Sequence, residues 1–404
     1  MAEKAAIKEA FARVLKDEGV RGALRFIKEN DGATLELQKK IALAESPTFH
    51  EEGRAELILA HFTKLGLKDI TRDEMGNVSA ALPGNGGGCV AVEAHMDTVF
   101  PFGTAKEVTE KDGLLYCPGI SDDARGLAAL LTIAEAFVKC GVRTQKDIVF
   151  LATVREEGIG GCAGISYFLE RHPAVESCLS IDGPDSNVVV CGGPGIRTRR
   201  FIFKGRGGHA YVAYGRNGNP VHAAICAMSA LAELKLPEKP KTTFSVTNFH
   251  AGTEAGVHAM PQEAELIATY RSESAAELRK LDHAVDEALA RGVEEENARC
   301  EARDITYETA ELVDIPAAVM PEDAEIVLSM SEAIKALGMT PAIDRSCPTN
   351  ASAAMGCGIP AICVGGGGRA GANHSINEWF DPKEAYLGVQ AAFLQMAASA
   401  EIAR

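Results

Sequence analysis

The chain has 404 residues, with 41 Lys and Arg against 56 Asp and Glu, so its formal net charge is −15. That length supports two or more domains, and 46% hydrophobic with 24% charged residues is an ordinary globular balance, which excludes a disordered, collagen-like or disulfide-stapled chain. The acidity argues against nucleic acid and anionic membrane as partners, because both carry phosphate that would repel it.

Residues 2–30 and 33–45 have the spacing of two amphipathic helices, and a third is expected over 51–65 after Ser46-Pro47. The N-terminal stretch lacks the apolar run of a signal peptide, and no run of about 18 apolar residues follows. Eleven cysteines, an odd number without a CxxC pair, read as free thiols of a reducing compartment, so a cytoplasmic location is expected. A strand–helix alternation then begins: strand 90–93, helix 127–140, strand 147–154, helix 163–170 and strand 178–181. It implies an α/β fold, a mostly parallel or mixed sheet with helices on both faces.

The rhythm changes at Cys191-Gly192-Gly193-Pro194. Strand 197–204, helix 220–235, strands 243–249 and 264–271 and helix 275–294 form a β-α-β-β-α order, suited to a small sheet with helices on one face. From about Thr309 the chain returns to helix (323–337), a strand at 361–364, a glycine cluster and a last helix. The expected organisation is one α/β domain from residues 1–193 and 309–404, interrupted by an inserted α+β domain at 194–308.

Metal-ligand residue types follow the predicted strands. His95-Met96-Asp97 follows the first, Glu156-Glu157-Gly158 the second, Asp182-Gly183 the third, and a glycine run with His374 the last. Ligands of open α/β sheets bind outside the carboxyl ends of the strands, so these side chains converge on one edge. Imidazole and carboxylate without thiolate suit zinc, manganese or cobalt in a catalytic centre. His95 and Asp97 are two apart and share a face, so His95 is expected on metal with Asp97 accepting its other N–H. A carboxylate of the loop Gly119–Gly126 is placed to bridge two ions. Of the adjacent Glu156 and Glu157, one serves as ligand and the other as general base. Singly, each motif has a structural reading: Asp122-Asp123 as a helix N-cap, Asp182-Gly183 as a turn. Four at successive strand ends do not.

AHMDTV (94–99), PGISDDARG (118–126), REEG (155–158), SIDG (180–183), GRGGH (205–209) and NHSINEW (373–379) together resemble the co-catalytic dizinc exopeptidase and deacylase family. That family includes peptidase T, bacterial glutamate carboxypeptidase, succinyl-diaminopimelate desuccinylase and aminoacylase, and the Glu-Glu-Gly and Asp-Gly pair looks most like peptidase T. The resemblance implies two divalent ions. His95, Asp122 and Asp182 would hold one and Asp122, Glu157 and His374 the other, with Glu156 as general base and Asp97 orienting His95. It implies that the inserted domain is a lid and pairs in a homodimer, with His209 reaching the partner's active site. Arg271 sits where a lid arginine often holds a substrate carboxylate, and Arg369, beside a ligand, is a further candidate for substrate contact. Three positions depart from the pattern: Ala124 where Lys is common, His258 where the lid usually has Asn, and Thr349-Asn350 where Thr-Asp is frequent. The implied reaction is hydrolysis of an amide bond in a di- or tripeptide. The alternatives are an N-acyl amino acid deacylase or carboxypeptidase using the same site, and more remotely an inactive metal-binding scaffold.

Overall fold

The computed structural model describes residues 2–403. Pro194–Ala317 forms one compact unit, and the rest of the described chain forms the other. The return to the first unit falls after residue 317, not at 309, because Thr306–Ile315 is a strand that pairs along its length with Gly195–Lys204 of the inserted unit.

The larger unit is built on an eight-stranded mixed sheet in the order Lys68–Arg72, Val78–Leu82, Asp147–Thr153, Cys89–His95, Val175–Ile181, Ala361–Val364, Val188–Val190, Ala342–Asp344. Asp147–Thr153, Cys89–His95, Val175–Ile181 and Ala361–Val364 are neighbours and all parallel. They are buried almost throughout, as strands covered on both faces must be. The helix Ala124–Lys139 packs against this layer and is buried on nearly every side, which explains its continuous run of Ala, Leu and Ile. Its side chains join Phe150, Phe393 and Phe62 in one core.

The N-terminal region holds three helices, not two: Ala2–Val14, Glu18–Glu29 and Asp31–Leu43. Asp17 divides the first pair by accepting the N–H of Val20 as an N-cap at 2.9 Å. A second, antiparallel sheet of this unit has the order Arg369–Gly371, Trp379–Asp381, Leu114–Tyr116, Thr109–Lys111. It sets the loop after Tyr116 beside the loop before Trp379.

In the inserted unit, four antiparallel strands are ordered Thr242–Ala251, Glu263–Ser272, Gly195–Lys204, Thr306–Ile315. Helices Pro220–Ala232 and Ala275–Arg299 pack on the sheet through Ala223, Ala227, Leu281 and Val285, against Phe201, Phe203 and Leu266. Among the described residues, no helix is long and apolar enough to cross a membrane.

Candidate metal centre

Because the four parallel strands are adjacent, their carboxyl ends lie side by side, about 4.8 Å per step. His95 ends one strand, Asp182 directly follows the next, and Glu156 and Glu157 lie just past Thr153. Asp122 arrives from the loop that opens the helix Ala124–Lys139. Gly126 lets that helix start close in, since a Cβ there would lie 2.4 Å from the carbonyl oxygen of Ile181. His374 arrives from the loop of the small sheet, with φ +60°.

The five side chains meet. His95 Nε2 is 3.1 Å from Asp122 Oδ1 and 4.0 Å from Asp182 Oδ1. His374 Nε2 is 3.0 Å from both Asp122 Oδ2 and Glu157 Oε1. Two groups of potential ligands result, His95–Asp122–Asp182 and Asp122–Glu157–His374, with Asp122 common to both. Glu156 groups with His95 and Glu157.

The electrostatics are those of a cation site. Burial, reinforced by repulsion from Asp122, pushes the Asp182 carboxyl up to about 7. Burial also holds Glu156 well above the usual carboxylate range, with His95 opposing and Asp182 and Glu157 adding to the rise. Asp122 runs the other way: burial would raise it, but the His374 and His95 imidazoles against it outweigh burial and lower it. Hydrogen bonds to Asp122 and Glu157 lift His374 to about 10. Asp122 Oδ1 is buried and lacks an aligned hydrogen-bond donor. An orphaned carboxylate oxygen, crowded acids and two imidazole nitrogens aimed at them are the chemistry of a hard or borderline divalent ion, and the residues fit such ions.

A supporting layer holds these candidate ligands. The Asp97 carboxylate accepts the N–H of Glu156 at 2.9 Å, the N–H of Glu157 at 3.0 Å and the Thr48 hydroxyl at 2.9 Å. It therefore fixes the backbone of the Glu-Glu pair. The nearer partner of His95 Nδ1 is the Asp97 main-chain carbonyl at 3.1 Å, with the carboxylate at 3.6 Å. Asp123 caps its helix through Gly126 N and also accepts the N–H of His95. Glu378, fully buried, accepts the N–H groups of Gly119, Ser121 and Asp122. Arg54, also buried, donates to the carbonyls of Ala44 and Met96. Glu378 and Arg54 carry no role in the sequence reading, and Asp123 enters it only with Asp122 as a helix N-cap. The acid of NHSINEW and the second Asp of SDD were the available signals, whereas a lone Arg in a helix offers none.

The remaining candidates are placed as follows. His209 lies on the short strand Gly208–His209, paired with Ala259–Met260, and is exposed. His258 is beside it: its carbonyl accepts the N–H of Ala210 at 2.8 Å. Arg271 is exposed on the strand Glu263–Ser272 of the same unit. Arg369 has a partner within its own small sheet, Asp381 at 3.0 Å. Arg125, next to Ala124, is turned into the core and donates to the carbonyls of Gly366 and Ala385.

A partly buried dinuclear set of imidazoles and carboxylates, with one further acid beside it, defines a metal-dependent hydrolase. The family model of Peptidase family M20/M25/M40 matches residues 91–398, and the chain belongs to that family. It is similar to the succinyl-diaminopimelate desuccinylase of Methylobacillus flagellatus, at 30% identity over 337 residues, covering 78% of this chain and 85% of that one. The structure resembles that of aminopeptidase PepT from Bacillus cereus, with a TM-score of 0.72 at 20% identity, covering 92% and 99% of the two chains. It also resembles the YXEP protein of Bacillus subtilis, described as a dinuclear metal binding peptidase, with a TM-score of 0.65 at 16% identity, covering 93% and 100%. At those identities the structural likeness is one of fold.

Proposed function

We propose that the chain is a dinuclear exopeptidase that removes a residue from short peptides with a free amino terminus. The observation that carries this reading is the charge of the cavity beside the ligands. It measures about 370 Å³, and besides the ligands its wall includes Asp185, Asp344 and Val188. Among its described lining residues there is no Lys or Arg. Such a wall attracts an ammonium group and repels the free carboxylate of a succinyl chain. Asp182 as the terminal carboxylate ligand supports the same reading, because its short side chain leaves room beside the ion for an α-amine.

His95, Asp122 and Asp182 would hold one ion and Asp122, Glu157 and His374 the other, with zinc the first choice and manganese or cobalt the alternatives. When bound, the ions supply an acidified water and polarisation of the scissile carbonyl. Glu156 takes the proton of the attacking water and returns it to the leaving amine. Its raised affinity for protons suits both halves of that task. Asp97 keeps Glu156 in reach by holding its backbone. His209 would donate a hydrogen bond to the developing oxyanion from the second copy of a homodimer. The sheet of the inserted unit has two long outer strands, Thr242–Ala251 and Thr306–Ile315, each unpaired on one side among the described residues, and these are edges a second copy would cover. Arg271 and His258 would contact substrate from the same unit.

The second reading is an N-acyl amino acid deacylase, favoured by the sequence likeness to desuccinylases. Parallel rates on di- and tripeptides, their N-acetyl forms and N-succinyl amino acids, in zinc, manganese and cobalt, separate the two. Faster cleavage of the N-acyl compounds than of any free peptide replaces the first reading with the second.

A further inference from the structure

A second polar layer lies one side-chain repeat beneath the metal ligands. Same-face residues of a strand are two apart. Two positions before His95 stands Glu93, and two before Asp182 stands Ser180, its register partner on the neighbouring strand. Thr153, which ends the strand leading to Glu156, is paired with His95. All three are buried. Thr153 Oγ1 donates to Glu93 Oε2 at 2.9 Å. The amide nitrogen of Asn350 donates to the same carboxylate oxygen at 3.0 Å and approaches Thr153 Oγ1 at 3.0 Å.

Asn350 is 2% exposed and opens the helix Asn350–Gly356. The three residues before it, Cys347, Pro348 and Thr349, form a wall of the cavity beside the ligands. One carboxyl group thus ties the strand ends that carry His95 and Glu156 to the wall that faces substrate. A leucine at 93 would fill a strand interior without the desolvation cost of an acid, so the acid is not explained by packing.

We propose that Glu93 is a positioning residue: through Thr153 and Asn350 it fixes the distance between the ligand-bearing strand ends and the wall Cys347–Thr349. The inference rests on the hydrolase reading above for its catalytic consequence, and on the hydrogen bonds alone for its structural one. Glu93→Gln keeps an oxygen able to accept from both donors, whereas Glu93→Leu removes the acceptor they share and leaves Asn350 only Thr153 Oγ1 and Thr153 only the Ala94 carbonyl at 3.4 Å.

The test uses the full-length, metal-loaded protein and two readouts. The first is the alkylation rate of Cys347, an exposed thiol on the wall, followed by mass spectrometry with exposed Cys357 as internal reference. In Glu93→Leu the Cys347 rate rises at least about tenfold, the scale of losing buried hydrogen bonds to a carboxyl group, while Cys357 is unchanged. KM for a short peptide rises by a similar factor. Glu93→Gln stays within about twofold of the parent in both, because its oxygen still accepts. Asn350→Ala, which cuts the wall from Glu93 but leaves Thr153 bonded, reproduces the Cys347 acceleration even if Glu93→Leu does not fold. Parental Cys347 rates in Asn350→Ala, or equal damage in Glu93→Gln and Glu93→Leu, overturn the proposal. If the parent cleaves neither peptides nor N-acyl amino acids, the functional reading falls while the Cys347 rates still decide this one.

Discussion

Glu378 Oε1 accepts the backbone N–H of Asp122 at 3.1 Å across 256 residues of chain. The same carboxyl takes the N–H groups of Gly119 and Ser121 at 2.7 and 2.8 Å. Burial pushes it up to about 7, with the backbone hydrogen bonds from Ser121 and Gly119 opposing. The residue common to both ligand groups is therefore held in place by a group that touches neither imidazole.

This arrangement sets the first prediction. Glu378→Ala should weaken metal binding by about 10–100-fold, the usual scale for losing a group that orients a ligand. Glu378→Gln should fall between, because one amide edge still accepts while the other presents N–H to N–H. Titration calorimetry with zinc measures the effect, and unaltered affinity in the alanine variant refutes the support role.

Glu156→Gln should fold, keep both ions and lose roughly 10²–10⁴-fold in kcat, the scale of general-base assistance. Asp122→Ala should lose metal along with activity, since both ligand groups share it. Metal analysis beside kcat distinguishes the two, and near-normal turnover in Glu156→Gln removes it from the base role.

Metal uptake should release protons. In the ion-free site His374 is held at about 10 by Asp122 and Glu157. For His95, burial alone would lower the value, but hydrogen bonds to Asp122 and Asp97 outweigh it and raise it. A cation needs Nε2 of each imidazole unprotonated, so at neutral pH each ring gives up a proton and affinity climbs with pH. Below about 7, the Asp182 carboxyl becomes a further competitor. Binding enthalpies in buffers of different ionisation heat report the count, and a buffer-independent enthalpy contradicts it.

Mixing inactive His209→Ala with inactive Glu156→Ala chains should restore part of the activity, because a mixed dimer carries one complete site. Subunit exchange must be verified independently, for instance with differently tagged copies. Exchange without recovery rules out a shared site.

A shift in KM is expected for Arg271. Arg271→Ala should raise KM for substrates with a free terminal carboxylate and leave amidated ones little changed, since a guanidinium–carboxylate pair fixes orientation as well as affinity. Equal effects on both substrate forms exclude that contact.

The strands that carry the candidate ligands were legible because parallel strands buried on both faces are long apolar runs, and polar residues at their ends stand out. Ala361–Val364 was readable to the residue. The small sheet that brings Glu378 to Asp122 was not, since strands of three residues such as Leu114–Tyr116 and Trp379–Asp381 are too short to show a period. The strand Thr306–Ile315 was missed for a related reason: its largely exposed, charged pattern hides a pairing visible only once Gly195–Lys204 is beside it. His95, Asp97 and the Glu-Glu pair were found together, but side-chain spacing alone gave Asp97 to the imidazole. Its carboxylate lies 3.6 Å from that imidazole and also accepts two backbone N–H groups, a partner type that sequence does not display.

The strand Ala361–Val364 lies between Val175–Ile181 and Val188–Val190, so the middle of the large sheet is completed by a segment made long after its neighbours. On a ribosome that emits the chain from its N-terminus, the inserted unit has all its strands before the central gap can be filled. The ligand set is likewise incomplete until His374 has emerged. A nascent chain would therefore be unable to assemble the proposed centre, and metal capture should be one of the last events of maturation. Pairings between segments this distant close slowly. Withholding divalent ions during synthesis should therefore not prevent the inserted unit from folding, but should leave the sheet edge that bears the ligands without its electrostatic anchor.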